Sequence, residues 1–234
     1  RDAVENQAIR RGCTDRVFGL DDERVLDLAL QEVPVVLNCA GPFVDTYRPV
    51  VEGCLRTGTH YLDVTGEIGV FEAVARLDER AREGDVQLLP GVGFDVVPTD
   101  CLAAHLADRV ADATPTDLTL GFRAGGGLSP GTARTMVRNL GEGGAVRRDG
   151  AIESVPTAWR TRRIDFGDGE KTAMTIPWGD VSTAYHTTGI ENVTVYSATP
   201  PGTVRLLRAA RYLSPLLGWG PVTALLERLV DARV

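Results

Sequence analysis

A chain of 234 residues leaves room for one large domain or two modest ones, and 43% hydrophobic with 24% charged residues is a globular composition, not a disordered or fibrous one. A formal net charge of −7 excludes the basic face on which nucleic-acid binding depends. Lys171 is the only lysine, so any mechanism needing a lysine elsewhere is excluded too.

In chain order, residues 3–11 are expected to form a helix closed by Gly12, and residues 16–18 a short strand. Asp21 or Asp22 caps the next helix, where Val25, Leu28, Ala29 and Val33 recur at helical spacing. Residues 35–39 read as a fully buried parallel strand. Residues 47–56 are helical, with Pro49 in the first turn and Gly58 just beyond the end. A strand at 59–64, a helix at 70–82 stopped by Gly84, and a strand at 86–89 follow. Thr99 or Asp100 caps a helix reaching about Val110.

Strand–helix repeats of this kind imply right-handed crossovers and a parallel sheet, with ligands bound beyond the C-terminal strand ends. Three loops leave strands there: residues 38–43, 63–67 and 90–95. Each mixes small residues with a few polar ones, which lets backbone approach a ligand closely.

After about Thr114 the pattern changes. Leu118, Leu120 and Phe122 alternate as in a half-buried strand, and Ser129-Pro130 opens a helix to about Leu140. Asp149-Gly150 and Gly167-Asp168-Gly169 mark hairpins, with strands at 161–166, 172–176 and 192–197. Helices are expected at 204–213 and 222–230. The fold class is therefore α/β. A doubly wound parallel sheet over residues 1–114, which the resemblance given below implies to be partial and Rossmann-like, is followed by an α+β domain with a mixed or antiparallel sheet over 115–234.

Several local motifs fail on physical grounds. Gly127-Leu128-Ser129-Pro130-Gly131 has the spelling of a nucleophile elbow, but Pro130 has no N–H for an oxyanion hole. Neither a phosphate-binding lysine loop nor a tyrosine–lysine dehydrogenase pair fits around Lys171. Cys13, Cys39, Cys54 and Cys101 read as reduced, small buried hydrophobes of a cytoplasmic protein. His60, His105 and His186 have no ligand spacing, so no metal is expected. His60 and His105 read as structural or surface residues, while His186 lies in a polar segment that could face a ligand. The stretch 204–230 reads as a helix pair over the second sheet in preference to a membrane-surface helix.

The loops carry a resemblance. Val35-Val36-Leu37-Asn38-Cys39-Ala40-Gly41-Pro42-Phe43, Gly58-Thr59-His60-Tyr61-Leu62-Asp63-Val64-Thr65-Gly66-Glu67 and Gly91-Val92-Gly93-Phe94-Asp95-Val96-Val97-Pro98-Thr99-Asp100 closely resemble the saccharopine dehydrogenase-like oxidoreductases, a group that includes the mycobacterial trans-acting enoyl reductases. Ile176-Pro177-Trp178-Gly179-Asp180 and Gly189-Ile190-Glu191-Asn192-Val193 resemble that group's second half.

The resemblance implies an NADP- or NAD-dependent oxidoreductase, transferring hydride to or from a small carbonyl, imine or enoyl substrate. It implies a homodimer formed through the C-terminal domain. It assigns Asn38, Cys39, Ala40, Gly41, Pro42 and Phe43 to the turn against the cofactor, and Thr65, Gly66 and Glu67 to the next loop. Gly93 and Phe94 match the loop leading to the substrate domain. Arg1 matches a position where an arginine neutralises the 2′-phosphate of NADP. Asp63, Asp95 and His186 are candidates for the substrate or proton contacts of catalysis. The group's opening strand, glycine-rich turn, helix and second strand are not in this sequence. The expectation is an internal piece of a longer enzyme with an exposed sheet edge. The competing reading is a non-catalytic, cofactor-free dimerising scaffold.

Overall fold

Helix α1 (Asp2–Arg11) opens the described chain, and α2 (Glu23–Leu30) follows a stretch without regular structure. In this computed structural model residues 2–123 and 143–210 are described, so the positions 129–140 and 211–234 lie outside them. The chain divides into two compact units: Arg1–Asp63 with Ala73–Pro90, and Val64–Glu72 with Gly91–Val234. This partition differs from a boundary at 114, because α6 (Val97–Arg109) packs on the second unit's helix α7 (Asp180–Thr188).

In the first unit Asp22 caps α2, its carboxylate accepting the Val25 N–H at 3.1 Å. The buried face of α2 is Leu26 and Leu30; Val25, Leu28 and Val33 are exposed, so the expected apolar stripe was rotated. Helix α3 (Phe43–Thr57) starts four residues earlier than its sequence suggests, which puts Pro49 inside the helix and not in its first turn. Arg56 of α3 pairs in two-pronged fashion with Asp27 of α2, at 2.9 and 2.8 Å. Arg80 of α5 (Asp78–Glu83) does the same with Glu52 of α3, at 3.1 and 2.8 Å. The expected helix 70–82 is split into α4 (Ile68–Ala75) and α5.

The strands β1 (Val35–Asn38), β2 (His60–Asp63) and β3 (Leu88–Leu89) pair in parallel in that order. Residues 16–18 form no strand, since none of these ladders includes them. Ladder partners share a face, so Leu37, Leu62 and Leu89 make one row, and Tyr61 and Asp63 lie on the other side. Tyr61 and Asp63 are wholly buried, whereas Val35, Leu37 and Leu89 are exposed. The expected full burial of β1 is thus corrected: it stands at the sheet's edge and one of its faces is open.

The second unit is built on a mixed sheet. Strand β9 (Asn192–Ala198) pairs in parallel with β4 (Asp117–Phe122) along six positions. It also pairs antiparallel with β8 (Glu170–Thr175) and, at Val193, with β5 (Gly144–Arg148). The hairpin partners are β6 (Ala151–Val155) and β7 (Thr161–Asp165). The β5–β6 turn is Asp149-Gly150, both at positive φ (48° and 75°), the conformation that the tightest hairpins demand. The core joins Ala103 of α6, Leu120, Val193 and Val195 of the sheet, and Val181 and Ala184 of α7. Helix α8 (Pro201–Ala210) ends the described chain. Thr99 and Asp100 lie inside the first turn of α6, whose N-cap is Val96, so neither is the expected cap.

Candidate functional site

The turn after β1 is shaped by one side chain. Asn38 is buried; its Oδ1 accepts the Ala40 N–H at 3.0 Å, and its Nδ2 donates to Thr46 (3.2 Å) and Tyr61 (3.4 Å). The Thr46 hydroxyl in turn donates to the Ala40 carbonyl at 2.6 Å. Cys39, Ala40 and Gly41 are left exposed at the strand's C-terminal end, ahead of Pro42 and Phe43 at the start of α3. Small, exposed residues on a fixed turn suit close backbone approach by a dinucleotide.

Asp63 belongs to the same unit, but its carboxylate faces inward. It has no exposed surface and accepts the Tyr61 hydroxyl proton at 2.7 Å. Burial pushes the Tyr61 phenol well above its ordinary range, so it stays a neutral donor. Burial likewise raises the Cys54 thiol to about 12, whereas Cys13, Cys39 and Cys101 are exposed, which corrects the expected burial of all four.

In the second unit three loops converge around Phe71. A Cβ at Gly91 would stand 2.6 Å from the Phe71 ring, and one at Gly179 would stand 2.9 Å from that ring and 3.2 Å from the Gly66 carbonyl. Glycine is required at both positions by this close approach. Thr65 is buried and its hydroxyl accepts the Glu67 N–H at 3.1 Å, which fixes the Thr65-Gly66-Glu67 turn. The Trp178 indole donates to the backbone carbonyl of Asp95 at 2.8 Å, joining that loop to Gly93 and Phe94. Asp95 is exposed, and Phe94 shows 89% of its surface. Arg1 lies outside the described residues.

His186 sits on α7, a helix that the sequence reading missed. Its Nε2 stands 3.8 Å from Glu72 Oε1. The same oxygen accepts the Ser182 hydroxyl at 2.5 Å and pairs with Arg147. Arg147 is buried at 3% exposure, donates to the carbonyls of Val181 (3.0 Å) and Gly150 (2.6 Å), and lies 4.2 Å over the Tyr185 ring. Glu72, Arg147 and Trp178 are contributors the sequence reading did not single out as site residues.

Asp180 begins α7 and has no exposed surface, and neither of its carboxylate oxygens has a hydrogen-bond partner. Burial pushes its pKa up to about 6; the Thr99 hydroxyl, which donates to the Val96 carbonyl at 2.9 Å, offsets only part of this, and Asp100 adds to it. Among the described residues no group of three His, Cys, Asp or Glu could hold a metal ion.

Residues 2–89 match the family model of the saccharopine dehydrogenase NADP binding domain. A mouse saccharopine dehydrogenase-like oxidoreductase is 29% identical over 128 residues, covering 53% of this chain and 30% of that protein. A trans-acting enoyl reductase from Mycobacterium leprae is 35% identical over 92 residues, covering 37% of this chain and 22% of that protein. The chain therefore aligns with about a third or less of these relatives' length. Apo saccharopine dehydrogenase (L-Glu forming) from Saccharomyces cerevisiae shares the fold, with a TM-score of 0.58 at 17% identity over 87% of this chain and 48% of that one. Residues 2–89 thus match the saccharopine dehydrogenase NADP binding domain, and about half of the chain is similar in sequence to saccharopine dehydrogenase-like oxidoreductases.

Proposed function

We propose that this chain is part of an NAD(P)-dependent oxidoreductase acting on a small carbonyl, imine or enoyl substrate. The observation that carries the reading is the Asn38-braced turn at the C-terminal end of a parallel strand, inside the region that matches an NADP-binding domain.

When bound, the nicotinamide supplies or accepts the hydride. The chain's own residues orient and move protons. Cys39, Ala40 and Gly41 bring backbone to the cofactor, with Pro42 and Phe43 closing the turn. Thr65, Gly66, Glu67, Gly93 and Phe94 are offered as further cofactor contacts, and Arg1, outside the described residues, as a group for the 2′-phosphate of NADP. Asp95 and His186, both exposed, are placed as substrate or proton contacts. Asp63 is placed as a positioning residue, because its buried carboxylate serves Tyr61 and not a ligand.

Titration with NADPH and NADH, read by thermal unfolding, tests the cofactor. A rise in Tm is expected. No rise in this chain or in the longer protein around it would overturn the reading. Among the described residues no helix is long and apolar enough to cross a membrane. We place the protein in the cytoplasm as a homodimer formed through the second unit. Sedimentation equilibrium is then expected to return twice the 25.1 kDa chain mass, and a monomer at all concentrations would remove the dimer.

A further inference from the structure

An exposed histidine is a general proton carrier only if its ring is held still. Of the two ring nitrogens, the one fixed by an acceptor determines which is left for exchange. His60 is already committed, since its Nδ1 accepts the Gln87 N–H at 3.0 Å. His186 differs: 44% of its side chain is exposed, the Tyr185 ring meets it edge-on at 5.3 Å, and Glu72 faces its Nε2 at 3.8 Å.

Glu72 is itself fastened. The Ser182 hydroxyl and Arg147 converge on the oxygen that faces His186. Each of the three Arg147 nitrogens already donates within the fold, Nε and Nη1 to backbone carbonyls and Nη2 to Glu72, and at 3% exposure the group is closed to a substrate anion. A buried guanidinium anchored at all three nitrogens fixes the carboxylate rather than recruiting a ligand. Ser182 has no exposed surface and likewise serves Glu72 alone in this cluster.

We propose that Glu72 is the positioning residue of His186, held for that task by Arg147 and Ser182; the proposal rests on the reading of His186 as a proton-exchanging group. The imidazolium gives its proton from the nitrogen turned away from Glu72. One N–H bond breaks as a bond from hydrogen to the substrate forms; the hydride would come from the cofactor when bound. The ring becomes neutral with its Nε2–H still toward Glu72, and Glu72 keeps its charge.

Nitrogen-15 NMR of the imidazole groups tests this without cofactor or substrate. His186→Gln assigns the signal among three histidines. With the ring neutral, the Nε2–H tautomer is expected to predominate for His186 in the wild type, to lose that preference in Glu72→Ala and to show a weakened preference in Ser182→Ala. No tautomer preference in the wild type overturns the proposal even if Glu72→Ala fails to fold, and so does a preference that survives unchanged in Glu72→Ala or in Ser182→Ala. Failure of the oxidoreductase reading shows separately, as absent NADPH binding with the Nε2–H preference intact.

Discussion

Asp63 in the first unit and Asp180 in the second are both carboxylates with no exposed surface, and their housing differs. Asp63 meets the Tyr61 hydroxyl, which reaches on to Asn38 and the strand-end turn. The Asp180 oxygens have no well-formed hydrogen bond, and the nearby Thr99 hydroxyl offsets only part of their burial. A buried polar group with its partner gives the fold a defined local geometry, while one without a partner carries the full desolvation cost. The first unit thus uses its buried acid to hold a turn, and the second stores an unfavourable charge at the start of α7.

The largest effect expected from this contrast is at Asp180. The folded protein holds that proton up to about pH 6, against 3.8 for the ordinary carboxyl. The folded state therefore binds more protons between these values, and stability falls as pH rises through the window, with the whole deficit present above it. Linkage puts that deficit at about 3 kcal/mol. Asp180→Asn is expected to raise unfolding stability at pH 7.5 by up to that amount and to change it little at pH 4. Urea unfolding at both pH values measures it, and an equal gain at the two would remove the charge as the cause.

A smaller effect, opposite in sign, is expected at Tyr61. Tyr61→Phe deprives Asp63 of a donor and Asn38 of a contact, at a cost of about 2 kcal/mol. A loss under about 0.5 kcal/mol in the same urea experiment would show that the hydroxyl is not holding Asp63.

Features set within a few residues were legible in the sequence. The Asp22 cap and the Asp149-Gly150 hairpin are local, and each residue type leaves few alternatives. The parallel order of β1, β2 and β3 followed from their alternation with helices. Helix α7 was hidden because Ser182, Thr183, His186 and Thr187 interrupt the apolar spacing of Val181, Ala184 and Tyr185, and packing in the core overrides the weak local pattern. The candidate loops were found through resemblance, but the roles within them were not. The inward turn of Asp63 had a signal: two residues from Tyr61 on a strand, it had to share the tyrosine's face. Glu72 and Arg147, 75 positions apart, had none, because only the tertiary fold makes them neighbours.

The segment Val64–Glu72 belongs with the second unit although the residues on either side of it belong with the first. The backbone therefore passes between the units at 63/64, 72/73 and 90/91, and no single cut releases either one whole. A truncation or gene fusion that treats residues 1–90 as a cassette carries off the Thr65-Gly66-Glu67 turn and Glu72, and leaves Arg147 and His186 without their carboxylate. Dissecting this protein requires rejoining Asp63 directly to Ala73, so its two units are coupled by the order of the chain itself.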